Sequence, residues 1–256
     1  MQIITLLTDI NQKGFKDYLA PSCKYYDLDI SVLHFDRSYN SHRLKDQMLY
    51  KHLKTLNKNE VIVFTDGYDT IFMAEEKEIL SKFHAFNKPL VFSTEVNCWP
   101  EEKIKEEYPS SDYHFKYLNS GAFIGMASFI INLYENFDGR SLNPTYQWSN
   151  QYLWHHIYLA NAKDIALDHG CSLFYNTTPL LDELKGLDFT RKDSLEIQDL
   201  YRSEKDRLEH ELELIEGKYY CKITKSTPCH LHFPGPISKL LMPVFFDRIR
   251  PWIDVT

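Results

Sequence analysis

The stretch Val61-Ile62-Val63-Phe64 runs straight into Thr65-Asp66-Gly67-Tyr68-Asp69. A short, unbroken apolar run that ends in a turn sequence describes a strand covered on both faces, as in a parallel sheet with helices on either side. Gly67 has no Cβ and permits a sharp turn between the two acids. A chain that places Asp66 and Asp69 directly after such a strand brings them to the carboxyl edge of its sheet, where open α/β folds gather their ligands.

The flanking sequence repeats the alternation. Residues 1–7 read as a strand, Thr8 to Asn11 as the loop leaving it, and Leu28 to Phe35 as a second strand. Leu44, Met48, Leu49, Leu53 and Leu56 form one stripe of a helix over 43–56. A helix over 75–86 and strands over 89–93 and 122–127 follow, the last led in by Leu118-Asn119-Ser120-Gly121. A helix is expected over 151–160, and short strands over 164–167 and 172–175. The charged segment 194–216 reads as a surface helix or helical hairpin, 219–223 as an added strand, and 230–252 as a segment packing back across the first half. Strand–helix alternation argues for an α/β fold with a mixed, mostly parallel sheet flanked by helices. The expected organisation is a single domain over 1–256, regular in its first half (1–130) and less regular in its second (131–256).

Composition excludes several function classes. A formal net charge of −7 over 256 residues offers no general basic surface for nucleic acid. No stretch approaches the ~20 apolar residues of a membrane helix. The N-terminus lacks a basic head and meets Asp9 too early for a signal peptide, so a cytoplasmic protein is the expectation. Five cysteines without a CxxC pair argue against a disulfide framework or a structural zinc site.

Chemistry concentrates in two places. Asp66 and Asp69 can aim two carboxylates at one hard cation, Mn²⁺ or Mg²⁺, although a solvated turn is the bland reading of the same spacing. Glu95 follows a predicted strand and can share their rim. Near the other end, His230-Leu231-His232-Phe233-Pro234-Gly235-Pro236 offers an imidazole at His232 and, at Gly235, close approach to a phosphate; Lys239 can contact the same phosphate. The histidines also alternate as on a half-buried strand, and the residues alone leave both readings open.

Val61–Phe72 (VIVFTDGYDTIF), Val91–Pro100 (VFSTEVNCWP) and Tyr117–Gly125 (YLNSGAFIG) stand in this order. Together they resemble the glycosyltransferase domain of the procollagen lysyl hydroxylases, which carries a strand-end Asp-x-x-Asp, a Ser-Ala-Glu…Cys-Trp-Pro segment and a Leu-Asn-Ser-Gly-Gly segment. His232 to Pro236 is similar to the family's terminal His-Gly-Asn-Gly-Pro. The resemblance spans roughly residues 1–245 and implies a GT-A-like (Rossmann-like) fold, a Mn²⁺ ion and a UDP-sugar donor, most readily UDP-glucose. It matches Asp66, Asp69 and His232 to metal ligands. Thr8, Lys45, Glu95 and Asn119 match donor-pocket positions, and Trp99 a ring that covers the sugar site. The acceptor it implies is a hydroxyl, such as that of hydroxylysine or galactosyl-hydroxylysine in a collagen-like protein; a viral or microbial relative fits the absence of a leader.

Where the family carries an acidic run ending Asp-Asp-Gln, this chain reads Trp148-Ser149-Asn150-Gln151. Asn150 and Gln151 offer carbonyl oxygens but no base at neutral pH. Asp168, in a Leu-Asp-His segment like the family's, is a further catalytic candidate. Ala122 replaces the second glycine of the Gly-Gly pair, and Phe233-Pro234 stand for Gly-Asn. A metal-dependent hexosyltransferase is the leading expectation. A UDP-sugar-binding protein with weak or no transfer is the alternative, motivated by the lost acids. A phosphohydrolase using Asp66 as nucleophile is the third; its acid spacing is one residue too long, and it leaves Cys-Trp-Pro without a role.

Overall fold

The computed structural model describes residues 1–35, 40–191 and 194–253, the side chain of Ser141 excepted. In chain order β1 (Gln2–Leu7) leads through wide helical turns at Gly14–Leu19 into α1 (Ala20–Tyr25), then β2 (Ile30–His34), α2 (Arg43–Leu53), β3 (Val61–Asp66) and β4 (Thr70–Phe72). Next come α3 (Glu76–Ala85), β5 (Leu90–Glu95), β6 (Tyr117–Met126), α4 (Ala127–Asn136), α5 (Asn150–Ala160), β7 (Ile165–Leu167) and β8 (Phe174–Asn176). The last third holds α6 (Leu181–Leu184), α7 (Leu195–Glu211), β9 (Leu212–Ile215), β10 (Lys218–Cys221), β11 (His230–His232) and α8 (Gly235–Ile253).

The main sheet runs β2-β1-β3-β6-β5-β7. All neighbours are parallel except those of β6, which is antiparallel to both β3 and β5. This is the mixed, mostly parallel, helix-flanked sheet of a GT-A-like Rossmann fold. Successive residues of each buried strand serve opposite faces. Ile4, Phe64, Phe92 and Phe123 pack with Trp154 of α5 on one side, whereas Ile3, Val63, Val91 and Ile124 pack with Leu19, Ile79 and Phe83 on the other. Strand order reverses beside β1, with β2 on one side and β3 on the other, so a crevice opens beyond their carboxyl ends.

Four segments differ from the sequence reading. Leu118–Gly121 lies inside β6 rather than ahead of it, because Ser93, Thr94 and Glu95 pair with Asn119, Leu118 and Tyr117. Thr70–Phe72, given no element in the sequence reading, is a strand; it pairs antiparallel with β11, which also pairs parallel with β8. The charged segment 194–216 is one helix whose last residues turn into β9. That strand forms a hairpin with β10 across Glu216 and Gly217, both at positive φ. Tertiary pairing overrides helical patterning there. Finally, 235–253 is a continuous helix despite internal Pro243 and Pro251, held by the burial of Leu241, Phe245 and Ile249. It packs against the small sheet, with Leu241 and Phe245 in one cluster with Ile71, Tyr175 and Leu231. Among the described residues, no helix is long and apolar enough to cross a membrane, and all five cysteines are free and buried.

One buried acid ties the helices of one layer together. Asp46 of α2 accepts from Arg43 Nε at 2.9 Å, Tyr134 Oη of α4 at 3.2 Å and Trp154 Nε1 of α5 at 3.2 Å. Burial pushes its carboxyl from an ordinary 3.8 up to about 6, against the pull of Arg43. The folded state therefore holds a proton that the unfolded chain has released between those values, and stability falls as pH rises through that window, by about 3 kcal/mol. Urea unfolding of wild type and Asp46→Asn from pH 4 to 7 is expected to show this step in the difference between the two profiles. A flat difference across the window rejects the assignment.

Candidate functional site

The crevice is a cavity of about 550 Å³. Its floor is built by the β3 exit. Gly67 is needed there for close approach: a Cβ would lie 2.2 Å from Leu7 Cδ2 and 2.8 Å from Thr5 Oγ1. Thr70 Oγ1 donates to the Asp66 carbonyl at 2.6 Å and closes the turn. The Tyr68 hydroxyl accepts from the backbone N–H of Thr8 and Asp9, both at 2.8 Å, and so pins the end of β1 beside that of β3.

Pairing of β11 with β4 puts His232 opposite Thr70, and Phe233 N–H donates to the Asp69 carbonyl at 2.7 Å. His232 Nε2 then lies 3.7 Å from both Asp66 Oδ2 and Asp69 Oδ1. One ligand atom from each of the three residues falls within 4.8 Å of the others. Both nitrogens of the buried His232 ring lack a hydrogen-bond partner. A buried imidazole with no partner between two carboxylates fits a divalent cation, and an N,O,O set suits Mn²⁺ or Mg²⁺. Lys45 Nζ meets Asp66 Oδ1 at 2.5 Å and Lys239 Nζ meets Asp69 Oδ2 at 3.0 Å. Burial pushes the Asp69 carboxyl up, but His232 and Lys239 together hold it well below the usual carboxylate range.

The second wall is a hydrogen-bonded network around Glu95. Asn119 Nδ2 and Gln151 Nε2 donate to Glu95 Oε1 at 2.9 and 2.7 Å, Gln151 Oε1 accepts from Ser120 N–H, and Asn119 Oδ1 accepts from Gly121 N–H. Burial raises the Glu95 carboxyl even against these two donors. Gln151 Nε2 and His155 Nε2 both donate to the Trp99 carbonyl, at 3.2 and 2.9 Å. His155 Nδ1 accepts from the Tyr108 hydroxyl at 2.5 Å, and burial lowers its ring to about 4, so it is neutral at neutral pH. The backbone that carries the Trp99 ring is thereby fixed from below.

Of the residues singled out from sequence, Thr8, Lys45, Asp66, Asp69, Glu95, Trp99, Asn119, Asn150, Gln151, His232, Gly235 and Lys239 all line this one cavity. Asp168 does not. Its carboxylate accepts from the backbone N–H of Ser172, Leu173 and Phe174 at 2.9, 2.7 and 2.9 Å and from the Ser172 hydroxyl at 3.1 Å. It organises the approach to β8, and burial lifts its carboxyl despite these donors. Ser149 likewise turns away: its hydroxyl accepts from Tyr152 N–H at 3.2 Å as the N-cap of α5. The loss of acids therefore bears on the cavity at Asn150 alone of that pair.

Sequence reasoning missed Tyr68, His42 and Thr178 as lining residues. Tyr68 was legible only as the variable residue of a turn. His42 had no motif, and Thr178 reaches the cavity because Thr177 N–H donates to the His232 carbonyl at 3.0 Å.

The fold and this site define a glycosyltransferase-like protein with a candidate metal centre. The model of the PLOD GT domain matches residues 1–208, and the chain belongs to that family. An uncharacterized protein of Acanthamoeba polyphaga mimivirus is 27% identical over 229 residues, covering 86% of this chain and 43% of its own length. Procollagen-lysine,2-oxoglutarate 5-dioxygenase 1 of Bos taurus is 34% identical over 146 residues, covering 56% of this chain and 19% of its own. The chain thus spans less than half the length of these relatives. Among solved structures, a glycosyltransferase involved in glycosylation of the major capsid of PBCV-1 shares the fold, with a TM-score of 0.51 at 8% identity over 94% of this chain and 98% of that one.

Two substitutions test the assembly. A Cβ at Gly121 would lie 2.1 Å from His232 Cε1 and 2.7 Å from its Nδ1. Gly121→Ala is expected to displace the ring and weaken divalent-cation affinity at the candidate centre by about tenfold or more, as loss of support around a ligand commonly does. Calorimetry in the presence of UDP reads this, and unchanged affinity refutes it. Asp168→Ala leaves three backbone N–H groups, two of them buried, and the Ser172 hydroxyl without this acceptor, and is expected to lower unfolding free energy by about 3 kcal/mol. A change below about 1 kcal/mol in urea melts would show that water replaces the carboxylate.

Proposed function

We propose that this protein is a divalent-metal-dependent glycosyltransferase that moves a hexose, glucose in the first instance, from a UDP-sugar to an acceptor hydroxyl. It works as one unit, with residues 1–130 on the nucleotide side and 131–256 on the acceptor side, the second half returning its C-terminal segment to the metal. The observation that carries the reading is the buried, partnerless His232 imidazole between Asp66 and Asp69 on the floor of the cavity.

In the reaction the acceptor oxygen bonds to the anomeric carbon. The bond from that carbon to the β-phosphate oxygen breaks, its electron pair leaves with UDP, and the hydroxyl proton passes to the medium. A bound Mn²⁺ or Mg²⁺ supplies charge compensation to the diphosphate. Asp66, Asp69 and His232 are the residues to hold it. Lys45 and Lys239 stand beside the two carboxylates and can turn to phosphate oxygens. Gly235 and Pro236 open α8 at the cavity, so the positive end of a long helix faces the same charge. The Trp99 ring, its carbonyl held by Gln151 and His155, covers the sugar and limits access of water. Gln151 acts through this positioning, since its amide is taken up by Glu95, Trp99 and Ser120. Asn150 offers the acceptor a neutral amide and no base. That feature favours the second reading, a protein that binds UDP-sugar but transfers slowly.

Purified protein with UDP-glucose or UDP-galactose, Mn²⁺ and a panel of hydroxylysine peptides and glycosides is expected to release UDP and yield a hexosylated product. EDTA abolishes this and Mn²⁺ restores it. Asp66→Asn and Asp69→Asn are each expected to lower turnover by about a hundredfold through loss of metal affinity. Full activity in either variant overturns the metal assignment. UDP binding without turnover on any acceptor selects the second reading.

A further inference from the structure

The face of the small sheet that carries His232 also carries Asn176. β11 and β8 run parallel with His232 opposite Asn176. Paired residues on parallel strands, about 4.8 Å apart, project to the same side. Leu231 and Tyr175 serve the core on the other side. His232 and Asn176 are both buried, and both approach the same part of the main sheet. The His232 ring lies against Gly121 of β6. Asn176 Nδ2 donates at 3.2 Å to the hydroxyl of Ser93, whose strand partner is Asn119 of β6.

Hydrogen-bond accounting fixes which way the Asn176 amide points. The Ser93 hydroxyl has one proton and gives it to the Asn119 carbonyl at 3.1 Å. Toward Asn176 it can only accept, so the NH₂ end of the amide faces Ser93 and Oδ1 faces away. Among the described residues that buried oxygen has no hydrogen-bond partner, and neither has His232 Nδ1. Buried polar groups left unmade are costly, and native folds pair nearly all of them. Asn119 Oδ1 also lies beside Gly121, but it already accepts from Gly121 N–H at 2.8 Å. Asn176 Oδ1 is the acceptor still unspent. An imidazole that holds a cation through Nε2 carries its proton on Nδ1, and commonly gives it to a carbonyl or carboxylate oxygen behind the ring.

Resting on the metal-dependent reading, we propose that Asn176 is the positioning residue of His232: its Oδ1 accepts the Nδ1 proton of the metal-loaded ring, which leaves the Nε2 lone pair for the cation between Asp66 and Asp69. Asn176 acts through the imidazole alone. Ser93 anchors the amide, so β5 supplies Glu95 to one wall of the cavity and, two residues earlier, the support behind the third candidate ligand.

The test uses the full chain, with Mn²⁺ for calorimetry and diamagnetic Mg²⁺ for ¹⁵N NMR of the histidine rings; His232→Gln assigns the His232 signals. Asn176→Leu is expected to weaken Mn²⁺ binding by about tenfold to a hundredfold. In wild type with Mg²⁺, His232 is expected as the Nδ1–H tautomer with a slowly exchanging proton. Asn176→Leu speeds the exchange of that proton or removes its signal. Asn176→Asp, a stronger acceptor, restores the signal and moves it further downfield. A side chain that only packs would change urea melts and leave this proton where it was. In turnover, Asn176→Leu is expected to raise the Mn²⁺ concentration at half activity by the same factor as the affinity loss, with little change in the acceptor KM. An Asn176→Leu affinity within about twofold of wild type, an Nε2–H tautomer in the Mg²⁺ complex, or an Nδ1 proton unmoved by substitution overturns the role. Should Asn176→Leu fail to fold, the proton in Asn176→Asp decides. If wild type binds neither ion, the metal reading falls and takes this role with it; if the ions bind and the Nδ1 proton ignores Asn176, the role alone falls.

Discussion

The site depends on one strand pairing. β11 is only three residues long, yet it lies between β4 and β8 and brings His232 from the last tenth of the chain to two acids from the first third. Its register leaves no choice of face: Leu231 is in the core with Ile71 and Tyr175, while His230 and His232 share the opposite side. A slip of one residue would put a leucine between the carboxylates and two imidazoles into the core. His230 guards against this from its own position, with Nε2 at 2.8 Å from Thr65 Oγ1 and its ring edge-on to Phe72. The same threonine lies at 3.0 Å from Thr70 Oγ1, whose own hydroxyl closes the acidic turn. Turn, register and candidate ligand set form one hydrogen-bonded unit.

A second unit holds the opposite wall. Glu95, Asn119 and Gln151 come from β5, β6 and α5, and a buried acid shared between two amides places each element relative to the others. Such a network is costly if incomplete and rigid when satisfied. Gln151 serves this wall, whereas Trp148 stands exposed beside the mouth and Asn150 lines the cavity.

Much of this was legible in the sequence, and the reasons differ by element. The doubly buried strands announced themselves because burial on both faces leaves an unbroken run, as at Val61–Phe64. Asp66 and Asp69 followed from their place at the end of that run. His232 was reached through resemblance, because three residues of alternating histidine and leucine carry little periodicity of their own. β4 and β9 were hidden since their stability comes from partners distant in the chain. Asp168 misled for a physical reason: a carboxylate that organises a turn and one that does chemistry look alike in a string of letters, and only the three backbone donors around it distinguish them. Ser149 posed the same ambiguity, as a lost acid that proves to be a helix cap.

Thr177 sits behind His232, donating to its carbonyl, while its own carbonyl receives Arg207 Nη2 at 3.0 Å and Ser238 Oγ at 3.2 Å. Helices α7 and α8 therefore act as the back plate of the third candidate ligand. The family match stops at residue 208, inside α7 and short of His232. A fragment excised at that boundary would retain both aspartates but lose the imidazole, the strand bridging β4 to β8 and half of the plate behind them. The stretch by which its kinship is recognised is thus too short to contain the whole candidate metal centre.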